Sequence, residues 1–213
     1  PTELRYARYF ETPMQVETGT GRETANISRF DITEPVVFYY SANTPPEMES
    51  AVRDGILYWN RAFGKEIIQA RKAPENVSAP DARYNIVQWV GWDNAGFAYA
   101  DVLLDPISGQ AQHGQAFMTS TFEINSKARA RQLLRSLAAQ IERAEKGEVG
   151  HDHGLRHARH LCRVDPMLFA RELSKGLESL LADPALTDEV ALRLAQDYVR
   201  ETTAHEVGHV LGL

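Results

Sequence analysis

The sequence contains few of the features that mark a specialised class of protein. A single cysteine, Cys162, permits no internal disulfide and so does not decide the redox compartment. No uninterrupted apolar run approaches the roughly 20 residues that cross a bilayer, and residues 1–8 lack the basic and then apolar order of a signal peptide. We therefore expect no membrane span in this chain.

The sequence also has fewer basic than acidic residues. Lysine and arginine number 23 against 29 acidic residues, which gives a net charge of -6. The basic residues are scattered among acidic ones along the chain, so the composition provides no extended positive field of the kind that neutralises phosphates. Nucleic acid is therefore not an expected partner, and the oligomeric state is left open.

The sequence does contain enough apolar material for one substantial core. The chain has 213 residues, of which 43% are hydrophobic, and these values are typical of a single compact domain. Residues 1–34 are polar and are broken by two glycines, so we expect a lead-in segment there and the folded domain at 35–213. The chain starts without methionine and stops inside a motif, so we interpret it as a piece of a longer protein whose targeting signal lies upstream.

The apolar pattern predicts an α+β fold. Strands are predicted where short runs are rich in β-branched and aromatic residues, at 35–40, 84–90, 97–104 and 115–122. The expected architecture is a twisted mixed sheet of about four to five strands with a helix packed against one face.

Four helices are predicted from apolar residues at helical spacing. The first lies between a Thr44 cap and Gly64, and its apolar stripe consists of Met48, Val52, Ile56, Trp59 and Phe63. The last follows a Thr187 cap and runs from about 188 to 211. The other two, at 126–144 and about 166–181, predict a helical insertion at 126–186.

The last helix carries His205-Glu206-Val207-Gly208-His209, which has the H-E-x-x-H pattern. Residues four apart on a helix share a face, so two imidazoles at this spacing can bind one ion. Neutral imidazole suits zinc, and a catalytic zinc site keeps one position open for water. Glu206 can act as the general base that takes a proton from that water. Residues 191, 194, 195, 198 and 202 continue the face of the two histidines, so we expect His205 and His209 to point inward.

The same pentad can also occur by chance, in which case hydrogen bonds or solvent satisfy its side chains. Gly212 extends the match to H-E-x-x-H-x-x-G, and a glycine there is expected to end the helix in a left-handed conformation. In the longer pattern a third histidine follows three residues after the glycine. A third ligand is therefore expected beyond Leu213.

Residues 203–213 (TAHEVGHVLGL) resemble the active-site helix of the metzincin clan of zinc endopeptidases. Within that clan, residues 55–63 (GILYWNRAF), 81–89 (DARYNIVQW) and 105–110 (DPISGQ) resemble a bacterial family of large zinc-dependent metalloproteases. The resemblance covers about residues 30–125 and 187–213.

This resemblance implies a metzincin-like upper subdomain, with 35–213 as the amino-terminal part of a zinc metallopeptidase catalytic domain. It also implies a zinc cofactor, a protein or peptide substrate and a secreted, periplasmic or cell-surface location. An edge strand would pair with extended substrate, and its candidates are 115–122 and 97–104. A methionine-containing turn is expected after the third histidine, and all four methionines precede the motif, at Met14, Met48, Met118 and Met167.

The sequence thus predicts a zinc-dependent metalloendopeptidase with Glu206 as general base and His205 and His209 as metal ligands. Because the third ligand is absent, we expect the 213-residue chain to be inactive. One alternative is a non-catalytic binding or scaffold module with a degenerate or structural metal site, and the intact Glu206 disfavours it. Another is a different zinc hydrolase with an acidic third ligand, which Gly212 disfavours. No substrate-binding residue is predicted.

Other ligand-type residues are weaker candidates. A connector contains four histidines near Cys162, namely His151, His153, His157 and His160. A second metal site and a solvated loop are both open interpretations of this connector. His113 is expected to be an ordinary strand or surface histidine. Asp93, Asp101 and Asp105 raise the idea of calcium, but their spacing matches no calcium loop.

Overall fold

The computed structural model describes residues 15–16, 18–24, 29–92, 98–105, 110–146 and 166–213. The strands found there are β1 (Gln15–Val16), β2 (Glu23–Thr24), β3 (Arg29–Phe30), β4 (Val36–Tyr40), β5 (Ile68–Lys72), β6 (Asn85–Val90), β7 (Ala98–Leu104) and β8 (Gln110–Thr119). The helices found there are α1 (Pro46–Phe63), α2 (Lys127–Glu145), α3 (Pro166–Ala182) and α4 (Asp188–Leu211). None of these helices is long and apolar enough to cross a membrane.

Six strands form one mixed sheet, which confirms the predicted mixed α and β architecture with more strands than the four to five expected. The order is β3-β8-β6-β4-β5, and β7 also pairs with β8. Ala111 of β8 pairs with both Phe30 and Leu104, so β3 and β7 lie on opposite sides of β8. The β7–β8 pair is antiparallel, whereas the other pairs in this sheet are parallel. β1 and β2 form a separate antiparallel pair within the predicted lead-in segment.

The predicted strand at 115–122 is displaced in the structure. β8 begins at Gln110, and residues Ser120–Phe122 form a 3₁₀ turn. The first half of β8 is polar, so no apolar run marks it, although it pairs with β3 and β7. The prediction also missed β5, because its sequence Ile-Gln-Ala-Arg-Lys offers one buried side chain at Ile68 and no apolar run.

The outer side of β5 is partly occupied by a side chain from α1. Asn60 Oδ1 accepts hydrogen bonds from the backbone nitrogens of Ile67 and Ile68 at 3.0 and 2.7 Å, and its Nδ2 donates to the Ile68 carbonyl at 2.8 Å. Val36 bonds to the Ile67 carbonyl on the β4 side, so the Ile68 groups face away from β4. Asn60 therefore fills the first pairing position on the outer side of this strand.

The four predicted helices are present, but Thr44 is not the cap of α1. Pro45 is the N-cap residue, and its carbonyl accepts from the backbone nitrogens of Met48 and Glu49. A proline in the first turn has no N–H to satisfy, and the Thr44 hydroxyl instead lies 3.3 Å from the Ser41 hydroxyl. The predicted helix end at Gly64 is confirmed by its left-handed φ of 64°. The predicted Thr187 cap of α4 is also confirmed, because its side chain accepts from the Val190 nitrogen at 3.2 Å.

α1 and α4 pack on each other, and α4 also contacts β7 and β8. The main core combines buried residues of the sheet and of both helices, including Phe38, Met48, Ile56, Met118, Val199 and Val207. In the predicted apolar stripe of α1, Met48, Val52 and Ile56 are buried, whereas Trp59 and Phe63 are half-buried. This core holds α4 against the sheet along much of its length.

Glycines permit the close approach of α4 to its neighbours. A Cβ atom on Gly55 of α1 would lie 2.6 Å from the Arg200 carbonyl oxygen and 2.7 Å from Thr203 Cβ. A Cβ atom on Gly114 of β8 would lie 2.0 Å from Val210 Cγ1. All three distances are shorter than a van der Waals contact, so neither position has room for a side chain unless the two helices separate at Gly55 or the Val210 side chain moves at Gly114.

α2 and α3 form a helical pair with a core of its own. Its buried residues are Ala130, Leu133, Leu137, Ala170 and Leu177, and Ile124 packs against both this cluster and the main core. Asp188 Oδ1, at the start of α4, accepts a hydrogen bond from the Lys127 nitrogen at 2.9 Å. The pair is therefore attached to the main core near the first residue of α2.

We predict that two helical glycine-to-alanine substitutions will have opposite effects on stability. Gly176→Ala in α3 should raise the free energy of unfolding by about 0.5–1 kcal/mol, because nothing lies within 4 Å of its added Cβ and alanine favours helix. Gly55→Ala should lower it by about 1–3 kcal/mol, since the added methyl overpacks the α1–α4 contact. Urea denaturation measures both values. Equal effects of the two substitutions would contradict a close contact at Gly55.

Candidate metal centre

The H-E-x-x-H pentad occupies the last turns of α4. Gly212 ends the helix with a left-handed φ of 88°, which confirms the conformation predicted for that glycine. The backbone nitrogens of Gly212 and Leu213 donate to the carbonyls of His209 and Gly208 at 3.1 and 3.0 Å. The last carbonyl groups of the helix therefore receive hydrogen bonds from its own backbone, and the histidine side chains are not required as caps.

The structure brings the two predicted metal ligands together. The Nε2 atoms of His205 and His209 lie 3.0 Å apart, and their ring centroids are 4.5 Å apart with an interplanar angle of 82°. Burial lowers the pKa of His209, and the neighbouring His205 lowers it further. A lowered pKa favours the neutral imidazole, which is the form that binds metal.

The prediction that both histidines point inward is wrong. His205 is exposed and His209 is half-buried. The buried side of α4 instead runs through Ala191, Ala195, Val199, Thr203, Val207 and Val210. Leu194 and Tyr198, which precede His205 on its own face, are 46% and 39% exposed. Apolar residues occupy both faces, so the helical spacing alone selected the wrong one.

The donor pair fits a zinc ion. Two nitrogens bound to a tetrahedral zinc at 2.0–2.1 Å lie about 3.3 Å from each other, close to the observed 3.0 Å between the two Nε2 atoms. Within the described ranges, however, no group of three histidine, cysteine or carboxylate side chains is arranged to hold a metal. A zinc site built on His205 and His209 would therefore need at least one further ligand.

Glu206 lies between the two histidines in sequence and is 4% exposed. Burial raises its pKa from 4.5 to about 7, and no other cause contributes. A carboxyl group of this kind gains and loses a proton near neutral pH, as a general base requires. A cation bound nearby would favour the charged carboxylate and lower this pKa.

Trp59 of α1 supports the turn that carries the pentad. Its indole Nε1 donates to the Ala204 carbonyl at 2.8 Å, directly before His205. A Cβ atom on Gly208 would lie 2.5 Å from Trp59 Cζ2, so only glycine fits beneath the indole ring. The sequence pattern predicted Trp59 only as part of the apolar stripe of α1 and gave no sign of this second role. The available signal was Gly208, because a glycine inside a helix often marks a point where another group packs closely against the backbone.

The structure decides between the two candidate edge strands. β8 is paired with β7 on one side and with β3 and β6 on the other, so the expectation of an edge strand at 115–122 is wrong. β7 pairs with β8 alone among the described strands and also contacts α4. β7 is therefore an edge of the sheet beside the helix that carries His205 and His209.

Three of the other ligand-type residues, His113, Asp101 and Asp105, lie among the described residues. His113 lies in β8, is buried, and places Nε2 2.8 Å from the Tyr84 carbonyl, as expected for an ordinary strand histidine. Asp101 is an exposed residue of β7 whose Oδ1 accepts from the Val102 nitrogen. Asp93 and the connector residues, His151, His153, His157, His160 and Cys162, lie outside the described residues.

No protein family model, curated protein or solved structure matches this chain. The resemblance to zinc metalloproteases therefore stays a prediction.

We predict that Trp59→Phe will lower the free energy of unfolding by about 1–3 kcal/mol. The substitution removes the N–H donor to Ala204 and part of the ring that packs on Gly208. Tyr58→Phe is the matched control, because Tyr58 adjoins Trp59 but is 49% exposed and should be neutral within about 0.5 kcal/mol. If urea denaturation gave the two variants equal stability, Trp59 would not support the pentad.

Proposed function

We propose that this chain is part of a zinc-dependent endopeptidase that hydrolyses peptide bonds of a protein or peptide substrate. The observation that carries the proposal is the 3.0 Å separation of the His205 and His209 Nε2 atoms next to a buried Glu206. A structural zinc site fills its fourth position with another protein ligand and has no use for a base. A buried carboxyl group adjacent in sequence to the two imidazoles instead favours hydrolysis.

The two histidines, Glu206 and Trp59 have separate tasks in this proposal. His205 and His209 hold the cation through Nε2. A bound zinc ion would lower the pKa of water and polarise the scissile carbonyl. Glu206 accepts the proton of the attacking water and later returns it to the leaving amine. Trp59 holds the Ala204 carbonyl and so fixes the position of the turn on which both histidines lie.

β7 is the proposed binding strand for an extended substrate. Its outer side is available for pairing among the described strands, and it lies against α4. A peptide that adds to this edge gains main-chain hydrogen bonds largely independent of its sequence. Such binding would place a scissile bond near the carboxyl end of α4.

The proposal includes a third ligand from polypeptide beyond Leu213. Two imidazoles alone leave the cation weakly held, so we expect weak zinc binding and no turnover in the 213-residue chain. A secreted, periplasmic or cell-surface location also belongs to the proposal and depends on the resemblance alone.

We predict that the chain binds one zinc ion through His205 and His209. His205→Ala and His209→Ala should each weaken binding by at least about tenfold, because even residues that only orient a ligand contribute that much. Isothermal titration with zinc measures the affinity. The control is His153→Ala combined with His157→Ala and His160→Ala, which should leave it unchanged. If only the control variant lost zinc, the metal site would lie in the connector.

We predict that Glu206→Gln abolishes peptide hydrolysis without loss of zinc. In a chain that extends beyond Leu213 to supply the third ligand, kcat should fall by about 10²–10⁴, the usual contribution of a general base. Zinc content measured on the same sample separates loss of the base from loss of the metal. Retention of full activity by this variant would overturn the role of Glu206. Turnover by the 213-residue chain itself, abolished by Glu206→Ala, would contradict its predicted inactivity.

A further inference from the structure

α2 carries a basic surface although the chain as a whole is acidic. The helix contains five basic and two acidic side chains, in a chain with a net charge of -6. Arg131, Arg135 and Arg143 are all exposed, and they lie outside the stripe of Leu133 and Leu137 that packs in the α2–α3 core. We call these three residues the arginine face.

The acidic residues of α2 are already paired with other partners. Glu142 contacts Lys146 at 2.6 Å, and Glu145 contacts Arg171 at 2.8 Å. In the part of the chain that the structure describes, no carboxylate lies within 4.0 Å of an arginine of this face. None of the three arginines therefore forms an ion pair with a described carboxylate, and α2 keeps an excess of basic over acidic side chains.

Two of these side chains are held along the helix by their own backbone. The Nε atoms of Arg135 and Arg143 donate to the carbonyls of Arg131 and Ala139, one turn earlier, each at 3.3 Å. The terminal nitrogens of each guanidinium are then left to bind other groups. A guanidinium fixed in this way loses less conformational freedom when it binds a carboxylate in a bidentate geometry.

The spacing of the arginines sets the size of a partner. Arg131 and Arg143 are about 18 Å apart along the helix axis, at 1.5 Å per residue. An extended peptide covers that distance in about six residues. We propose that the arginine face is a docking surface for a short acidic segment of another polypeptide.

Other anionic partners fit this surface less well. The exposed residues between the arginines are Gln132, Ala138, Ala139 and Glu142. None of them has the large apolar side chain that inserts into a membrane, and Glu142 is paired with Lys146. A long polyanion such as DNA would also extend into the field of the acidic remainder of the chain. A short acidic segment meets mainly the local positive charge, because charges beyond about 10 Å are screened at ordinary salt concentrations.

The docking surface is separate from the metal centre. α2 is attached beside Asp188, at the start of α4, and His205 lies about 25 Å further along that helix. α2 packs on α3, whereas α4 packs on α1 and on the sheet, so the arginine face and the two histidines belong to different helices in different layers of packing. The proposal stands whether or not the chain hydrolyses peptide bonds.

The test is the binding of a fluorescein-labelled hexaglutamate peptide to the full 213-residue chain, followed by fluorescence anisotropy. We expect saturable binding at low ionic strength that weakens as salt is added. The triple variant Arg131→Glu, Arg135→Glu, Arg143→Glu should raise the Kd by at least about tenfold, since three favourable ion pairs become repulsive. Circular dichroism and urea denaturation verify that this variant remains folded.

The matched control reverses three exposed arginines elsewhere, as Arg53→Glu, Arg71→Glu and Arg193→Glu. This control changes the net charge by the same amount but leaves the arginine face intact. If the arginine face binds the peptide, the Kd of the control should change by less than about threefold. Equal losses in the two triple variants, or no saturable binding to the unchanged chain, would overturn the proposal. Tighter binding of a DNA duplex or of anionic vesicles than of the peptide, lost in the first variant, would also overturn it.

Discussion

The contact between α1 and α4 is the constraint on which the candidate site depends. Because Gly55 has no side chain, the backbones of α1 and α4 approach closely there, and Gly208 leaves room for the indole ring of Trp59. The hydrogen bond from that indole to Ala204 fixes the helix one residue before His205. The imidazole pair therefore does not depend on a flexible loop, because its backbone belongs to a helix packed against another helix and against the sheet.

Much of this fold could be predicted because strong local signals coincide with tertiary packing. The runs that became β4 and β6, the stripe of α1 and the left-handed glycines at 64 and 212 all carry signals within a few residues. β5 could not be predicted, because its stability comes from β4 and from the Asn60 side chain rather than from its own sequence. Long-range pairing of that kind is invisible in a short window.

The pentad likewise combines a feature that its local sequence predicts with one that depends on tertiary packing. Its spacing predicted that two imidazoles would meet, and they do, at 3.0 Å. The direction of the pair was predicted wrongly, because Leu194 and Tyr198 are apolar yet exposed, while the neighbouring line through Ala195 and Val199 is buried. The basic surface of α2 was also missed, since counting charges along the chain averages over faces that only the helix separates.

The two edges of the sheet, β5 and β7, differ in how easily another strand can pair with them. On the β5 side, Asn60 already bonds the backbone of Ile67 and Ile68, and the strand ends with the charged residues Arg71 and Lys72. Both features discourage a second copy from continuing the sheet there, as blocked and charged edges do in proteins that resist fibril growth. Self-association by strand addition would thus be directed to the opposite edge, β7, where it would compete with the proposed peptide binding.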